Sequence, residues 1–210
     1  MKASHSSAAK MRLIGGHLCL DFVNTVGGRN TLVQGDKLGD YSDLVKWSRH
    51  ADIITGAEAR RLIEKGMQSP IEAETVFRRG LGLREALYRI CKAIIAGRAP
   101  RSGDLETANH ELLEARSHER LTHVENRFTW EWIGGGVALD RMLWSIAHSA
   151  GELLATGDLS RLRECGGEEC GWLFEDTSRN RSRQWCHMED CGNLAKVRRF
   201  RIRLRRASKG

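Results

Sequence analysis

Proline is nearly absent from this 210-residue chain, with 2 residues, and aromatic residues make up only 6%. With Ala, Leu, Arg and Glu plentiful, the scarcity of proline favours helix. No apolar run exceeds about four residues (Ala93–Ala96 is typical), far short of the roughly twenty that a membrane span needs. The first dozen residues, MKASHSSAAKMR, have no apolar stretch behind their lysine, so a secretory signal is not expected and residues 1–12 read as a disordered arm. The six cysteines are therefore expected in a reducing cytoplasm, where metal binding or free thiols outrank disulfides. No P-loop, dinucleotide-binding glycine pattern, zinc-protease motif or serine triad is present, so no enzyme is expected.

What the chain does have is charge, unevenly placed. The formal net charge is +7, and residues 161–210 hold 13 Lys and Arg against 7 Asp and Glu. Nearly all the excess lies in the last quarter, which points to a polyanionic partner.

Composition divides the chain at Gly157-Asp158. Before it, Leu18–Val26 fits both strand and helix periodicity. Asp40 or Ser42 can cap a helix carrying Leu44, Val45 and Trp47. Thr55-Gly-Ala-Glu58 is a capping box. A helix is predicted over Pro70–Ala96, with Gly80 and Gly82 allowing a division into two. Another is expected from Asp104, with a stripe of Leu105, Ala108, Leu112 and Leu113. Leu121–Val124 and Phe128–Trp132 alternate like a β-hairpin. A last helix is predicted over Val137–Thr156.

Among the polar residues of the opening run, His17, Asp21, Asn24 and Thr25 could line a ligand pocket, but the preferred reading is that Asp21 and Asn24 cap or bridge neighbouring backbone. Cys19 and Cys91 sit in apolar company and read as small hydrophobes. Trp130 and Trp132 share one side of a strand, in a core or an interface.

Cys165, Cys170, Cys186 and Cys191 form C-x4-C-x15-C-x4-C. Two close pairs of thiolates match the tetrahedral, sulfur-tolerant preference of Zn²⁺. Four protein ligands leave no place for a reactive water, so this zinc is expected to be structural and to replace the core that fifty residues cannot build. Trp172-Leu173-Phe174 reads as one strand and Gln184-Trp185 as its return, with Trp172 and Trp185 as partners. Asn193 can cap a helix that follows. From Leu194 onward there are eight basic residues and no acid. This tail alternates enough to be helix or extended strand. The order knuckle, hairpin, helix predicts a treble-clef-like module.

The segment RLRECGGEECGWLFEDTSRNRSRQWCHMEDCGN resembles the CGNR zinc finger, and LCLDFVNTV resembles the opening of the ABATE domain that precedes it. The resemblance implies a bacterial, stress-responsive transcription regulator, with a sensing domain over 13–157 joined to a DNA-binding finger over 158–210. It implies Cys165, Cys170, Cys186 and Cys191 as zinc ligands and places Asn193 in the signature. Leu194 stands where the signature has Arg. The expected fold is α+β: a mainly helical N-terminal domain with a small β-hairpin, then the finger. The expected partner is duplex DNA, contacted by Arg179, Arg181, Arg183, Asn193, Lys196, Arg198, Arg199, Arg201 and Arg203. A small-molecule effector and a homodimer are further expectations. The competing reading is a zinc-stapled adaptor for an acidic protein or RNA.

Overall fold

Apolar residues recurring every three or four positions build six of the seven described helices into one helical core, and three short hairpins decorate it. The computed structural model describes residues 8–31, 35–134, 136 and 138–207. Its helices are α1 (Leu18–Val23), α2 (Tyr41–His50), α3 (Gly56–Gln68), α4 (Pro70–Ile95), α5 (Ser102–Ser117), α6 (Arg141–Thr156) and α7 (Asn193–Ala207). Its strands pair antiparallel in sequence order: β1 (Val26–Gly27) with β2 (Gly35–Asp36), β3 (Glu119–Val124) with β4 (Arg127–Trp132), and β5 (Leu162–Glu164) with β6 (Leu173–Glu175). The fold is α+β, as expected.

Caps set the helix starts. Asp40 accepts from the Asp43 amide at 2.8 Å, and both bonds of the Thr55–Glu58 capping box form. The ambiguous run resolves as helix over Leu18–Val23 and extends only at Val26. Pro70–Ile95 is one unbroken helix. Gly80 does not interrupt it because it serves as a contact: a Cβ there would lie 3.1 Å from Leu143 Cδ2, so α4 and α6 approach closely. The last core helix starts at Arg141, later than expected; Val137 lies outside the described residues. The α5 stripe needs correction. Leu105 and Leu113 are exposed, and α5 instead buries Asp104, Ala108, Glu111 and Ala115. Ion pairs make this tolerable, since Arg89 reaches Asp104 at 2.6 Å and Arg79 reaches Glu111 at 2.9 Å.

The arm expected over residues 1–12 is packed from its eighth residue. Ala8–Lys10 forms a 3-10 turn, and Ala8 and Met11 are buried in the core. The expectation for residues 1–7 lies outside the described residues. A single hydrophobic cluster runs from Ala8 through the helices to Leu162 and Leu173. The chain thus crosses the Gly157-Asp158 boundary without a break in its core.

Candidate metal centre and basic helix

The sequence after Asp158 folds around four sulfurs. Cys165 ends the β5 side of the finger, Cys170 and Gly171 lead into β6, and Cys186 precedes and Cys191 lies within a π-turn over Met188–Gly192 that runs into α7. The four Sγ atoms all lie within 4.8 Å of one another, with Cys170–Cys186 and Cys186–Cys191 at 3.6 Å. A tetrahedral Zn²⁺ with Zn–S near 2.3 Å separates its sulfurs by roughly 3.8 Å, so the donor set and spacing fit zinc. Backbone amides support the cluster: Cys186 N–H donates to Cys165 Sγ at 3.2 Å and Gly167 N–H does so at 3.5 Å. Gly167 is tightly enclosed, since a Cβ would lie 3.1 Å from Cys170 Cβ and 3.2 Å from Cys191 Sγ and would press on the cluster.

As thiols, the four groups cannot ionise together. Hydrogen bonds from Cys170 and Cys186 pull Cys165 down towards thiolate, and those same bonds push Cys170 and Cys186 up. Burial, then the charge on Cys165, pushes Cys191 up. A bound dication removes this conflict and allows four thiolates to coexist. Cys165, Cys170, Cys186 and Cys191 form a zinc site.

The loop between the cysteine pairs departs from expectation. β6 pairs with Leu162–Glu164, upstream of Cys165, and Gln184-Trp185 is not a strand. Its one ladder-like bond is the Gly166 amide to Gln184 O at 2.8 Å. Trp172 and Trp185 are therefore not cross-strand partners, though both pack against the small cluster of Cys165, Phe174 and Cys186. The loop itself is organised by Asp176, which is fully buried and accepts from the Ser178 and Arg183 amides at 2.9 and 3.0 Å. Burial alone would push this carboxyl up, but the donors outweigh it and hold it below the usual range.

This architecture gives two of the arginines expected on nucleic acid partners within the chain. Arg183 lies over the Phe174 ring at 4.2 Å and donates to the Trp185 and Cys186 carbonyls. It braces the second cysteine pair from inside. Arg181 is exposed but bound to Asp158 at 3.1 Å and to Ser160 at 2.8 Å. Arg179 is exposed. Asn193 does not cap α7; it is the first residue of that helix, with φ −67° and ψ −42°. His187 is not among the four ligands, and its ring lies against Arg12 and 3.4 Å from Asp190.

The tail is helix. α7 leaves the π-turn and projects away from the core, with Lys196, Arg198, Arg199, Arg201 and Arg203 exposed along it. Arg198 pairs with Glu168 of the finger. Leu194, at the signature Arg position, is 70% exposed. Beside α7, a groove of about 1000 Å³ lies between the finger and the N-terminal segment, walled by Met11, Arg12, Lys37, Trp172, Trp185 and Ile202.

Residues 16–157 match the family model ABATE, described as "Putative stress-induced transcription regulator", and residues 161–204 match the CGNR zinc finger. The chain belongs to the ABATE family. No curated protein matches the chain. The two matched regions are tied together by the polar residues of the opening run. Asn24 holds Leu173 at both ends, its amide donating to Leu173 O and its oxygen accepting from Leu173 N, each at 2.8 Å. Trp172 Nε1 donates to Val26 O at 3.0 Å, the Glu175 amide to Gly15 O at 2.8 Å, and His17 pairs with Glu175 at 3.1 Å. Asp21 accepts from the Gly15 amide at 2.8 Å, and Thr25 donates to Phe22 O. Asn24 reaches distant backbone and His17 reaches a carboxylate, whereas Asp21 and Thr25 bond to neighbouring backbone, the kind of bond preferred from the sequence. The CGNR finger as the partner of Asn24 is not legible there, because its strand lies 149 residues further along the chain.

Behind this seam lies an ion network that the sequence does not announce. Arg29, with a side chain 4% exposed, sits over the Tyr88 ring and pairs with Glu85, while its amide donates to Cys170 O. Arg84 pairs with Asp36 at 2.6 Å. Gly171 must be glycine here, since its φ is +68° and a Cβ would lie 2.8 Å from Arg29 Cβ. A lone glycine after a cysteine carries no mark of that neighbour.

Proposed function

We propose that this ABATE protein is a DNA-binding transcription regulator of the bacterial cytoplasm, whose zinc holds the finger so that α7 can lie along duplex DNA. The observation that carries the proposal is α7 itself: a projecting helix of 15 residues with no acid in it, about 22 Å long, the size of element that fits a major groove. Its arginines suit phosphates and guanine edges. The zinc has four protein ligands, which leaves no open position for chemistry, so the role is binding and not catalysis. A small effector would fit the groove beside α7. Among the described residues no helix is long and apolar enough to cross a membrane.

A second reading rests on Val197, Phe200 and Leu204, which are exposed along one side of α7. Such a stripe suits the groove of an acidic protein, as in an adaptor. One experiment separates the two readings. Fluorescence anisotropy of the zinc-loaded full chain on duplex DNA, at several salt concentrations, should show binding that weakens steeply with salt. Arg199→Glu with Arg203→Glu should weaken it at least tenfold and lower the salt slope by about 0.9 for each phosphate that is no longer neutralised. Absence of binding at low salt would remove the DNA reading and leave the adaptor.

A further inference from the structure

The hairpin of β3 and β4 stands away from the helical core, held at its root. There Trp132 packs against Trp144 and His148, and Glu119 pairs with His148 at 2.6 Å. Beyond the root its register runs Leu121 opposite Trp130 and His123 opposite Phe128. Those four residues share one face, and the apolar members are bare: Phe128 is 72% exposed, Trp130 62% and Leu121 51%. The opposite face carries Arg120, Thr122, Val124, Arg127, Thr129 and Glu131. A lone two-stranded ribbon is marginal in water, and an exposed edge with no Lys, Pro or bulge invites another strand.

The edge has a defined pattern. Glu125 and Asn126, both at positive φ, make the two-residue turn, and below the root the Ile133 amide donates to His118 O. Antiparallel bonding alternates between these fixed ends. Arg127, Thr129 and Glu131 therefore direct their amides and carbonyls to β3, while Phe128 and Trp130 direct theirs outward, to the free edge. The sequence on that edge, Arg127-Phe128-Thr129-Trp130-Glu131, is self-complementary when read against itself in the opposite direction. A two-fold axis at Thr129 sets Arg127 against Glu131 of a second copy and Phe128 against its Trp130. In that register the outward groups of Phe128 and Trp130 meet as a hydrogen-bonded pair. Sliding one copy by a single residue would set outward-directed groups against inward-directed ones, and sliding it by two would separate the opposite charges.

We propose that β4 pairs edge to edge with β4 of a second copy, giving a four-stranded sheet across a two-fold homodimer. Two factors select a copy of this chain over a nucleic acid or an acidic protein. The strand is charge-balanced, unlike α7, and its two ends are each other's inverse, Glu131 keeping only a long 4.0 Å pair with Arg120 inside the hairpin. The aromatic side chains, in turn, gain cross-strand neighbours. This pairing does not depend on the DNA-binding reading.

Light scattering of the zinc-loaded full chain at micromolar concentration should give twice the 23.6 kDa chain mass. Glu131→Arg, which sets Arg against Arg127 of the second copy, should shift the protein to monomer with an unchanged far-ultraviolet spectrum, and its melting temperature should no longer depend on protein concentration. Adding Arg127→Glu should restore the dimer. Thr129→Cys should cross-link across the axis under mild oxidation, where non-hydrogen-bonded Cα atoms lie about 4.5 Å apart. Thr122→Cys, two strands further from its mate, should not. A monomeric wild type, a dimer untouched by Glu131→Arg, or a double variant that stays monomeric overturns the proposal.

Discussion

Asn24 shows how much one side chain can carry. Fully buried, it meets both backbone groups of Leu173, which would otherwise have no partner in the interior. Replacing it with Leu removes two hydrogen bonds and strands a donor and an acceptor, at a cost of about 2–4 kcal/mol, read as a lower melting temperature of the full chain. Asn24→Asp keeps the acceptor for the Leu173 amide and should cost less at neutral pH only if the new carboxylate is tolerated beside Leu173 O; a loss equal to that of Leu places the weight on the donor. The buried thiols are legible without structure. Burial pushes Cys19 and Cys91 up to about 12, so neither forms the thiolate that alkylating agents attack at neutral pH. In the native zinc-loaded protein both should resist iodoacetamide, and both should react once denatured. What one residue cannot announce is a distant partner: the acceptors of Arg183 are carbonyls, which every residue has.

At the scale of elements, local rules are readable and pairings are not. The Thr55–Glu58 capping box forms because its donors and acceptors lie within one turn, and the β3–β4 hairpin forms because two residues suffice for its turn. The finger's strands fail that logic. Gln184-Trp185 has strand-like residues, yet Leu162–Glu164 takes its place beside β6. The winner is the segment that also buries Leu162 in the main core and sets Glu164 against Lys92 of α4. The polar loop of the finger reads in sequence as a basic surface. Its true organiser is buried Asp176 and its true brace is Arg183. Lysine at position 183 has no planar fork to meet two carbonyls at once. Arg183→Lys should therefore loosen the second cysteine pair and lower zinc affinity by roughly tenfold, in the range seen when groups supporting metal ligands are removed. Competition with a chromogenic chelator measures this. Zinc affinity equal to the wild type would return Arg183 to the surface role that the sequence implied.

The whole molecule behaves differently from the two-part chain that composition describes. The family boundaries at 157 and 161 fall inside a continuous core, and the finger's first hairpin is clamped by α1, α4 and the segment after Ile14. Composition expects a finger that melts alone when its zinc is removed. The packing instead makes zinc loss a cost to the helical domain, because unravelling β6 exposes Leu173 and frees Asn24, Val26 O and Gly15 O. Chelation, or Cys170→Ser, should therefore lower the melting temperature of a single cooperative transition followed by near-ultraviolet circular dichroism of the core tryptophans Trp47 and Trp144. Acid should act in the same direction. Zinc binding requires deprotonated thiols and weakens as pH falls. Burial pushes the Glu85 carboxyl up, but Arg29 and Arg84 more than reverse it, and Asp176 is held down likewise. Carboxyls whose folded values lie below their unfolded ones contribute stability that is complete above the ordinary range, and it is lost as pH falls through the folded values, here below roughly pH 4.5. The melting temperature should drop through that window, and Glu85→Gln should flatten the part of the drop that belongs to the seam. An N-terminal transition that stays at its own temperature while the finger loses zinc would show two independent bodies, and the clamp at Asn24 would then carry no coupling.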